Sequence, residues 1–191
     1  MSVKLAEINS VLEHSQCLLD ENGVNTLFQR LATEITERCQ FSNPVVLCVM
    51  TGAIVAVGQL LPKLNFPLEV DYIHATRYQG ELVGSDLVWK QLPSIDLTDR
   101  TVIIIDDVLD EGITMAQVKS YCVEQGAKVC YLAVLVDKKI QQKKPAMADF
   151  VGYQADNEYL FGLGMDYKGY WRNLNGLYAC PSNVDELLSQ C

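Results

Sequence analysis

Carboxylates, a glycine and a threonine follow an apolar run in residues 102–114, which read V-I-I-I-D-D-V-L-D-E-G-I-T. The adjacent Asp106 and Asp107 offer only hydrogen-bond acceptors when ionised, which suit hydroxyl groups and hard cations such as Mg²⁺. Gly112 and Thr114 come where a helical pattern begins, and the unpaired N–H groups and the dipole of a helix start attract anions. The segment therefore predicts a site for a ligand that carries a phosphate together with hydroxyls or a metal ion.

The residues before these carboxylates must place them at an edge of a sheet. Residues 102–105 are all β-branched, which is typical of a strand buried on both faces of a parallel sheet. Ligands of open parallel sheets bind beyond the carboxyl ends of the strands, where Asp106 and Asp107 lie. An acid-capped turn is the simpler alternative, because Asp and Thr are common helix caps. The dense combination of acids with Gly112 and Thr114 favours a ligand site.

Strands and helices alternate through the middle of the chain. Apolar patterns predict strands at 45–50, 68–75, 101–105 and 128–136, and helices at 24–39, 53–61 and 112–125. This alternation indicates an α/β fold with a parallel, doubly wound sheet. Shorter apolar runs at 150–153, 159–162 and 177–180 predict the strands of a small, irregular subdomain. We expect residues 1–191 to form a single domain.

Composition excludes several classes of protein. The 191 residues carry a net charge of −9, which argues against nucleic-acid binding. Seven cysteines without a Cys-x-x-Cys spacing indicate thiols in a reducing compartment rather than a thiolate metal site. No secretory signal or membrane-spanning run is visible, so we expect a cytoplasmic protein.

Residues 102–114 resemble the phosphoribosyl-pyrophosphate (PRPP) motif of the type I phosphoribosyltransferases. Further stretches resemble the 6-oxopurine branch, the hypoxanthine-guanine phosphoribosyltransferase family. They are L-C-V-M-T-G-A at 47–53, D-Y-I-H-A-T-R-Y at 71–78, V-D-K-K at 136–139 and G-L-G-M-D-Y-K-G-Y-W-R-N-L at 162–174. The resemblance implies a five-stranded parallel core with a hood over the base, formed mainly by residues 145–191 with some N-terminal residues. It also implies purine salvage: a base displaces pyrophosphate from C1 of PRPP, with Mg²⁺ as the cofactor.

The same resemblance assigns roles around PRPP. Asp106 and Asp107 would bind the ribose hydroxyls, directly or through Mg²⁺, and Asp110 would be the general base that takes the N7 proton of the purine. Asp166 would be a second contact for Mg²⁺. The 5′-phosphate would lie on the loop made of Asp110, Glu111, Gly112, Ile113 and Thr114, with Glu111 pointing outward. The pyrophosphate contacts would be Thr51, Gly52 and Arg172.

Three further residues would bind the purine. Lys138 would donate to O6, which disfavours a 6-amino purine because an ammonium group has no acceptor to offer. A solvated charge is the alternative for this residue, since it begins a lysine-rich run. Tyr159 would stack on the ring or pack within the hood, and Leu160 would offer backbone groups to the base edge. Many relatives have a lysine where this chain has Thr51, so pyrophosphate binding there would depend on backbone groups in an unusual peptide geometry.

Residues 76–90 are polar, contain two glycines and predict a long loop or a pair of edge strands. In the family this position is a mobile lid, headed here by Arg77 and Tyr78, that excludes water from the reaction.

Alternatives remain open at the level of the sequence. A PRPP-sensing regulator without activity would need a nucleic-acid-binding surface, which the acidic charge disfavours. A receiver domain also uses an Asp pair, but it places that pair after its first strand. Among enzymes, a preference for xanthine is the nearest competitor. The expected partners are PRPP and a 6-oxopurine base, with no nucleic acid or membrane, in a homodimer or homotetramer.

Overall fold

The computed structural model describes residues 5–77 and 87–181. Its helices are α1 Leu5–His14, α2 Glu21–Cys39, α3 Ala53–Leu60 and α4 Ile113–Glu124, with a short 3₁₀ turn at Leu61–Lys63. Its strands are β1 Gln16–Leu19, β2 Val45–Met50, β3 Glu69–Arg77, β4 Leu87–Gln91, β5 Thr101–Leu109, β6 Val129–Lys138, β7 Phe150–Ala155, β8 Leu160–Phe161 and β9 Leu177–Ala179. No helix in these two ranges is long and apolar enough to cross a bilayer.

The main sheet has six strands in the order β4-β3-β2-β5-β6-β7. Strands β3, β2, β5, β6 and β7 are parallel, and β4 pairs antiparallel with β3 at one edge. The α/β fold class with a mainly parallel sheet is therefore confirmed. Parallel strands need crossover connections, and α3 supplies one between β2 and β3 and α4 another between β5 and β6.

The central strands form the core because their residues are apolar on both faces. Val45, Val46 and Leu47 in β2 are fully buried, as is the run Val102–Ile104 in β5. β5 continues past the predicted end at residue 105, because Val108 and Leu109 pair with Val136 and Asp137 of β6. The acid pair therefore lies inside the last part of the strand, and the phosphate loop begins only after it.

A second, three-stranded antiparallel sheet has the order β1-β9-β8. Gln16 of β1 and Leu160 of β8 both pair with Ala179 of β9, so the two ends of the described chain meet here. Helix α1 joins this unit: Ile8 is buried beside Phe161, and its carbonyl accepts a 2.7 Å hydrogen bond from the Trp171 indole. We call this unit, residues 5–19 and 159–181, the hood.

One predicted strand belongs to a different sheet from the one expected. The strand expected at 150–153 in the small subdomain belongs instead to the main sheet, where β7 pairs with β6. The assignment to the subdomain was wrong because a short apolar run carries no information about its partner strand. In the stretch 76–90, both ends form an antiparallel strand pair in which Arg77 lies opposite Leu87. Residues 78–86, including the predicted lid residue Tyr78, lie outside the described residues, and of Arg77 only the backbone is described.

Candidate active site

Thr51, Gly52, the acid pair, the loop of residues 110–114 and Lys138 gather at the carboxyl ends of β2, β5 and β6, which are neighbours in the sheet, whereas the other predicted site residues that the structure describes lie elsewhere, most of them in the hood. A cavity of about 310 Å³ lies at the end of β5. Its walls are formed by Asp106, Asp107, Val108, Leu109, Asp110, Glu111, Gly112, Thr114 and Met115. A larger cavity of about 640 Å³ shares Asp110 and Glu111 with it and is lined on its other side by Ile140, Gln141, Gln142 and Asn157. Crevices beyond the carboxyl ends of parallel strands are the usual ligand sites of such sheets.

The acid pair is held close to its own backbone. The Asp107 N–H donates to Asp106 Oδ1 at 2.9 Å, and the Val108 N–H donates to Asp107 Oδ1 at 2.8 Å. Burial and the adjacent charge of Asp107 raise the pKa of Asp106 well above its usual range. Burial also raises the pKa of Asp107, against the opposing effect of the Arg172 guanidinium. A ligand that brings hydroxyl donors or a cation would relieve this accumulation of negative charge.

The phosphate loop turns sharply into α4. Gly112 has φ of 79°, in the left-handed region that favours glycine, and its carbonyl accepts the first helical hydrogen bond from Ala116 at 3.0 Å. A Cβ at this position would lie 3.3 Å from both the Ala146 carbonyl oxygen and Lys144 Cβ. Glu111 is exposed, as a phosphate loop requires of a carboxylate, and Thr114 is half-buried.

Lys138 and Asp110 form an ion pair across the ends of β6 and β5. Lys138 Nζ donates to Asp110 Oδ2 at 3.1 Å. The lysine side chain is only 12% exposed, whereas that of Asp110 is 48% exposed. The solvated-charge alternative for Lys138 is therefore wrong, because its ammonium group is held inside the site. The pair presents a donor and an acceptor side by side.

Lys144 is a buried residue of the site that the sequence did not single out. Its ammonium group donates to the carbonyl oxygens of Leu109 at 2.6 Å and Lys138 at 2.5 Å, and to Asp137 Oδ1 at 2.6 Å. The signal available in the sequence was weak, because Lys144 closes a run of polar and basic residues that is typical of a solvated surface. Its burial comes from the chain turning back beneath the phosphate loop.

The loop between β2 and α3, Thr51 and Gly52, is called the first loop, and its backbone approaches the acid pair. The peptide bond between Met50 and Thr51 is cis, and Thr51 is exposed. A Cβ on Gly52 would lie 2.0 Å from Asp107 Oδ2, so only glycine fits there. A Cβ on Gly164 of the hood would lie 1.9 Å from the Gly52 carbonyl oxygen. The hood and the first loop therefore meet backbone against backbone.

Arg172 and Asp166 face each other in the hood. Arg172 Nη2 lies 2.5 Å from Asp166 Oδ1, and its Nη1 donates to the Gly164 carbonyl at 2.6 Å. Asp166 Oδ2 also accepts a hydrogen bond from the Gly169 N–H at 2.7 Å. The predicted pyrophosphate contact, Arg172, and the predicted Mg²⁺ contact, Asp166, are thus paired with each other.

Both alternatives for Tyr159, stacking on the base or packing in the hood, remain predictions. Its side chain is 53% exposed, yet its hydroxyl donates to the Asp166 carbonyl at 3.0 Å and its ring packs edge-on against Tyr167. Burial raises the pKa of the Tyr159 phenol, so it stays a neutral donor. The neighbouring Leu160 is buried in β8, where its backbone pairs with Ala179.

These features define a class: an α/β protein in which an acid pair near the end of a buried strand is followed by a glycine turn into a helix. A family model described as "Phosphoribosyl transferase domain" matches residues 16–168, and the chain belongs to this family of enzymes. The family predicted from the sequence motifs is thereby confirmed.

Similar proteins carry more specific names. The hypoxanthine-guanine-xanthine phosphoribosyltransferase of Tritrichomonas foetus is 31% identical over 158 residues, which are 82% of this chain and 86% of that protein. The hypoxanthine-guanine phosphoribosyltransferase of Aquifex aeolicus is 29% identical over 164 residues, 84% of this chain and 92% of that one.

Solved structures agree with the fold. One of a hypoxanthine-guanine-xanthine phosphoribosyltransferase superposes with a TM-score of 0.77 at 28% identity, covering 88% of this chain and 96% of that chain. One of a hypoxanthine phosphoribosyltransferase from Staphylococcus aureus has a TM-score of 0.84 at 20% identity, covering 96% and 98%, and supports the fold alone.

Proposed function

We propose that the protein transfers the 5-phosphoribosyl group from PRPP to hypoxanthine, guanine or both. In this reaction the C1–oxygen bond to pyrophosphate breaks, a ring nitrogen of the purine bonds to C1, and the purine loses its N7 proton. The products are IMP or GMP and pyrophosphate. The relatives named above support the choice of substrate class.

The ion pair between Lys138 and Asp110 carries the proposal. A 6-oxopurine with a protonated N7 presents an acceptor, O6, beside a donor, N7–H. Lys138 and Asp110 present the complementary donor and acceptor, with Nζ and Oδ2 3.1 Å apart. When the base binds, O6 takes the place of Asp110 as the acceptor for Lys138. Asp110 is then free to receive the N7 proton, and positioning at this distance is what general-base catalysis requires.

The same pair sets the chemical preference. An adenine-type 6-amino group would place a donor against the Lys138 ammonium group, which has only donors. A buried site left with such a mismatch rejects the analogue strongly. Xanthine keeps O6 and is therefore not rejected by Lys138. Hypoxanthine and guanine are the proposed substrates, and a preference for xanthine is the second candidate, which the Tritrichomonas foetus relative supports by its name.

PRPP would lie along the strand-end cavity. Its 5′-phosphate would occupy the loop of residues 110–114 and accept hydrogen bonds from backbone N–H groups at the start of α4 and from the Thr114 hydroxyl. The ribose hydroxyls would reach Asp106 and Asp107, and the pyrophosphate would lie between the Thr51–Gly52 backbone and Arg172. An arginine suits this place because its planar guanidinium pairs with phosphate oxygens.

The donor set fits Mg²⁺ bound mainly by the substrate. Within residues 5–77 and 87–181, no group of three or more His, Cys, Asp or Glu side chains could hold a metal by itself. Mg²⁺ commonly keeps its waters and binds through one or two carboxylates plus substrate phosphates. Asp106 and Asp107 could supply these one or two carboxylates. Asp166 would contact Mg²⁺ only with a carboxylate that also pairs with Arg172. When bound, Mg²⁺ supplies positive charge to the leaving pyrophosphate.

Lid, assembly and location complete the proposal. Residues 76–90, headed by Arg77 and Tyr78, would close over the reaction centre and exclude water.

A homodimer or homotetramer is supported by Val70 and Tyr72, which expose large apolar side chains on the same face of β3. A cytoplasmic location is supported by free thiols at the six described cysteines.

A base panel tests the function. The purified protein is given PRPP and Mg²⁺ with hypoxanthine, guanine, xanthine or adenine, and nucleotide formation is followed. We expect turnover with hypoxanthine or guanine and at least about 100-fold lower kcat/KM with adenine. PRPP binding without turnover of any base would instead favour a PRPP-sensing regulator.

A matched pair of lysine variants tests the role of Lys138. Lys138→Met should lower kcat/KM for every 6-oxopurine by at least about tenfold while leaving PRPP binding unchanged. Lys139→Met is the control, because that neighbouring side chain is 62% exposed. Equal losses in the two variants would contradict the contact with O6.

A further inference from the structure

The ammonium group of Lys144 contacts the ends of both β5 and β6. Its ammonium group has three N–H donors, and they meet the Leu109 carbonyl, the Lys138 carbonyl and the Asp137 carboxylate at 2.5–2.6 Å. Its side chain is 12% exposed. All the donors of a buried charge are thus satisfied, as buried ionic groups require.

Each of these acceptors adjoins a functional residue. The Leu109 carbonyl belongs to the peptide unit that ends in the N–H of Asp110, so holding that oxygen fixes the start of the phosphate loop. The Lys138 carbonyl fixes the backbone of the residue whose ammonium group pairs with Asp110. The ammonium group of Lys144 therefore links the ends of β5 and β6, on which the donor and acceptor of the site are carried.

The stem of the same side chain supports the phosphate loop. Lys144 Cβ lies 3.3 Å from the position that a Cβ of Gly112 would occupy. The Lys144 stem thus lies against the left-handed turn that precedes α4, while its ammonium group contacts the backbone of Leu109 and Lys138. One side chain contacts the phosphate side and the base side of the site together.

We propose that Lys144 is a positioning residue that sets the distance and orientation between Asp110 and Lys138. It acts through the backbone of both strand ends and does not touch the substrate. The roles of Asp110 and Lys138 rest on the proposed function. The mechanical tie between the strand ends does not, because it depends only on the hydrogen bonds of Lys144.

Lys144→Met keeps the apolar stem and removes the three donors, and Lys144→Arg keeps the charge. Lys143→Met is the matched control, since it is the same change at an adjacent, exposed lysine. We expect Lys144→Met to lower kcat with hypoxanthine about 10- to 100-fold at saturating PRPP, because misplaced catalytic groups cost about this much. Lys144→Arg should restore part of the rate, and Lys143→Met should match the wild type.

Two readouts separate positioning from a general loss of stability. In a double-mutant cycle, Lys144→Met should cost much less in a Lys138→Met background, because its effect passes partly through Lys138. Amide hydrogen exchange of the ligand-free protein should accelerate at residues 109–112 and 138–140 while the amides of β2 stay protected. Additive losses in the cycle, or exchange that is unchanged or accelerated uniformly, would overturn the proposal.

The two proposals fail in different ways. If the wild-type protein forms no nucleotide from any base, the proposed function fails. The exchange experiment uses no substrate and still decides whether Lys144 ties the two strand ends together.

Discussion

The strand-end segment, residues 106–114, and the hood segment, residues 159–172, build the two sides of the site in different ways. The strand-end segment is continuous: a buried strand delivers the acid pair, and one glycine turns the chain into a helix. The hood segment is irregular, and its backbone has positive φ at Gly162, Leu163, Gly164, Lys168, Gly169 and Trp171. Regular elements place chemical groups by sequence spacing, whereas an irregular segment places them by contacts with distant parts of the chain.

The largest effect should come from the chemistry of the strand-end segment. Asp110→Asn should lower kcat about 10²- to 10⁴-fold, the usual contribution of a general base, while KM for PRPP changes little. Asparagine keeps an oxygen that accepts from Lys138, so the geometry of the pair is retained. Steady-state kinetics with hypoxanthine measure both parameters. An unchanged kcat would remove Asp110 as the base.

The hood segment should respond most strongly to a change in its backbone packing. Gly164→Ala should destabilise the protein by about 2–5 kcal/mol, because it combines a left-handed conformation with a Cβ driven into the Gly52 carbonyl. Chemical denaturation measures the free energy of unfolding. Gly169→Ala is the control: its φ is also positive, at 89°, but a Cβ there meets no atom within 4 Å. It should cost only about 1–2 kcal/mol, and equal costs would contradict the contact between hood and first loop.

Arg172→Lys should separate binding from folding in the hood segment. The guanidinium contacts Asp166 and the Gly164 carbonyl through two different nitrogens, a geometry that one ammonium group cannot reproduce. We expect KM for PRPP to rise about 10- to 100-fold, since a lost charge-assisted hydrogen bond costs about 1.5–3 kcal/mol. The free energy of unfolding should change by less than this range of about 1.5–3 kcal/mol. A variant with normal KM and lowered stability would make Arg172 purely structural.

The smallest effect should be a gain in stability at the strand-end segment. Burial and the neighbouring charge raise the pKa of Asp106, so the folded protein holds that proton to higher pH than the unfolded chain. Stability therefore falls as pH rises from the unfolded pKa to the folded one. Asp106→Asn should remove this slope and stabilise the ligand-free protein at neutral pH by about 0.5–2 kcal/mol. Unfolding measured from pH 4 to pH 8 tests this, and a loss of stability would contradict it.

Asp71 should show the opposite pH dependence of stability, and it serves as the control for the unfolding measurements. Burial opposes its ionisation, but hydrogen bonds from Tyr72, Ile95 and Ser94 hold the pKa of Asp71 below its usual value. Ionised Asp71 contributes to stability above its pKa in the unfolded chain, and this stabilisation is lost as the pH falls through its pKa in the folded protein. Asp71→Asn should therefore lower stability at neutral pH, where Asp106→Asn raises it.

The same contrast explains how much the sequence could predict. The order of strands and helices from α2 to β6 and the position of the acid pair followed from apolar patterns, because β5 and its turn into α4 are local, whereas α1 and β1 were not predicted. The place of β7 did not follow, since its pairing with β6 is a tertiary choice. The burial of Lys144 and the contact between Gly164 and Gly52 were invisible, because nothing near these residues in sequence records what they meet in space.

The pairing of β1 with β9 has a consequence for the biosynthesis of the protein. The strands of the main sheet are consecutive from β2 to β7, so that sheet can assemble while the ribosome is still translating the hood segment. Helix α1 precedes the main sheet in the chain, yet its buried residues Ile8 and Val11 pack against Phe161 and Tyr167, which follow that sheet. The nascent chain therefore carries the apolar face of α1 without its partners until the hood segment is synthesised. Chaperones and proteases would therefore encounter a chain whose main sheet is assembled and whose hood is incomplete. The hood segment, once translated, would bury the apolar face of α1 and complete the site.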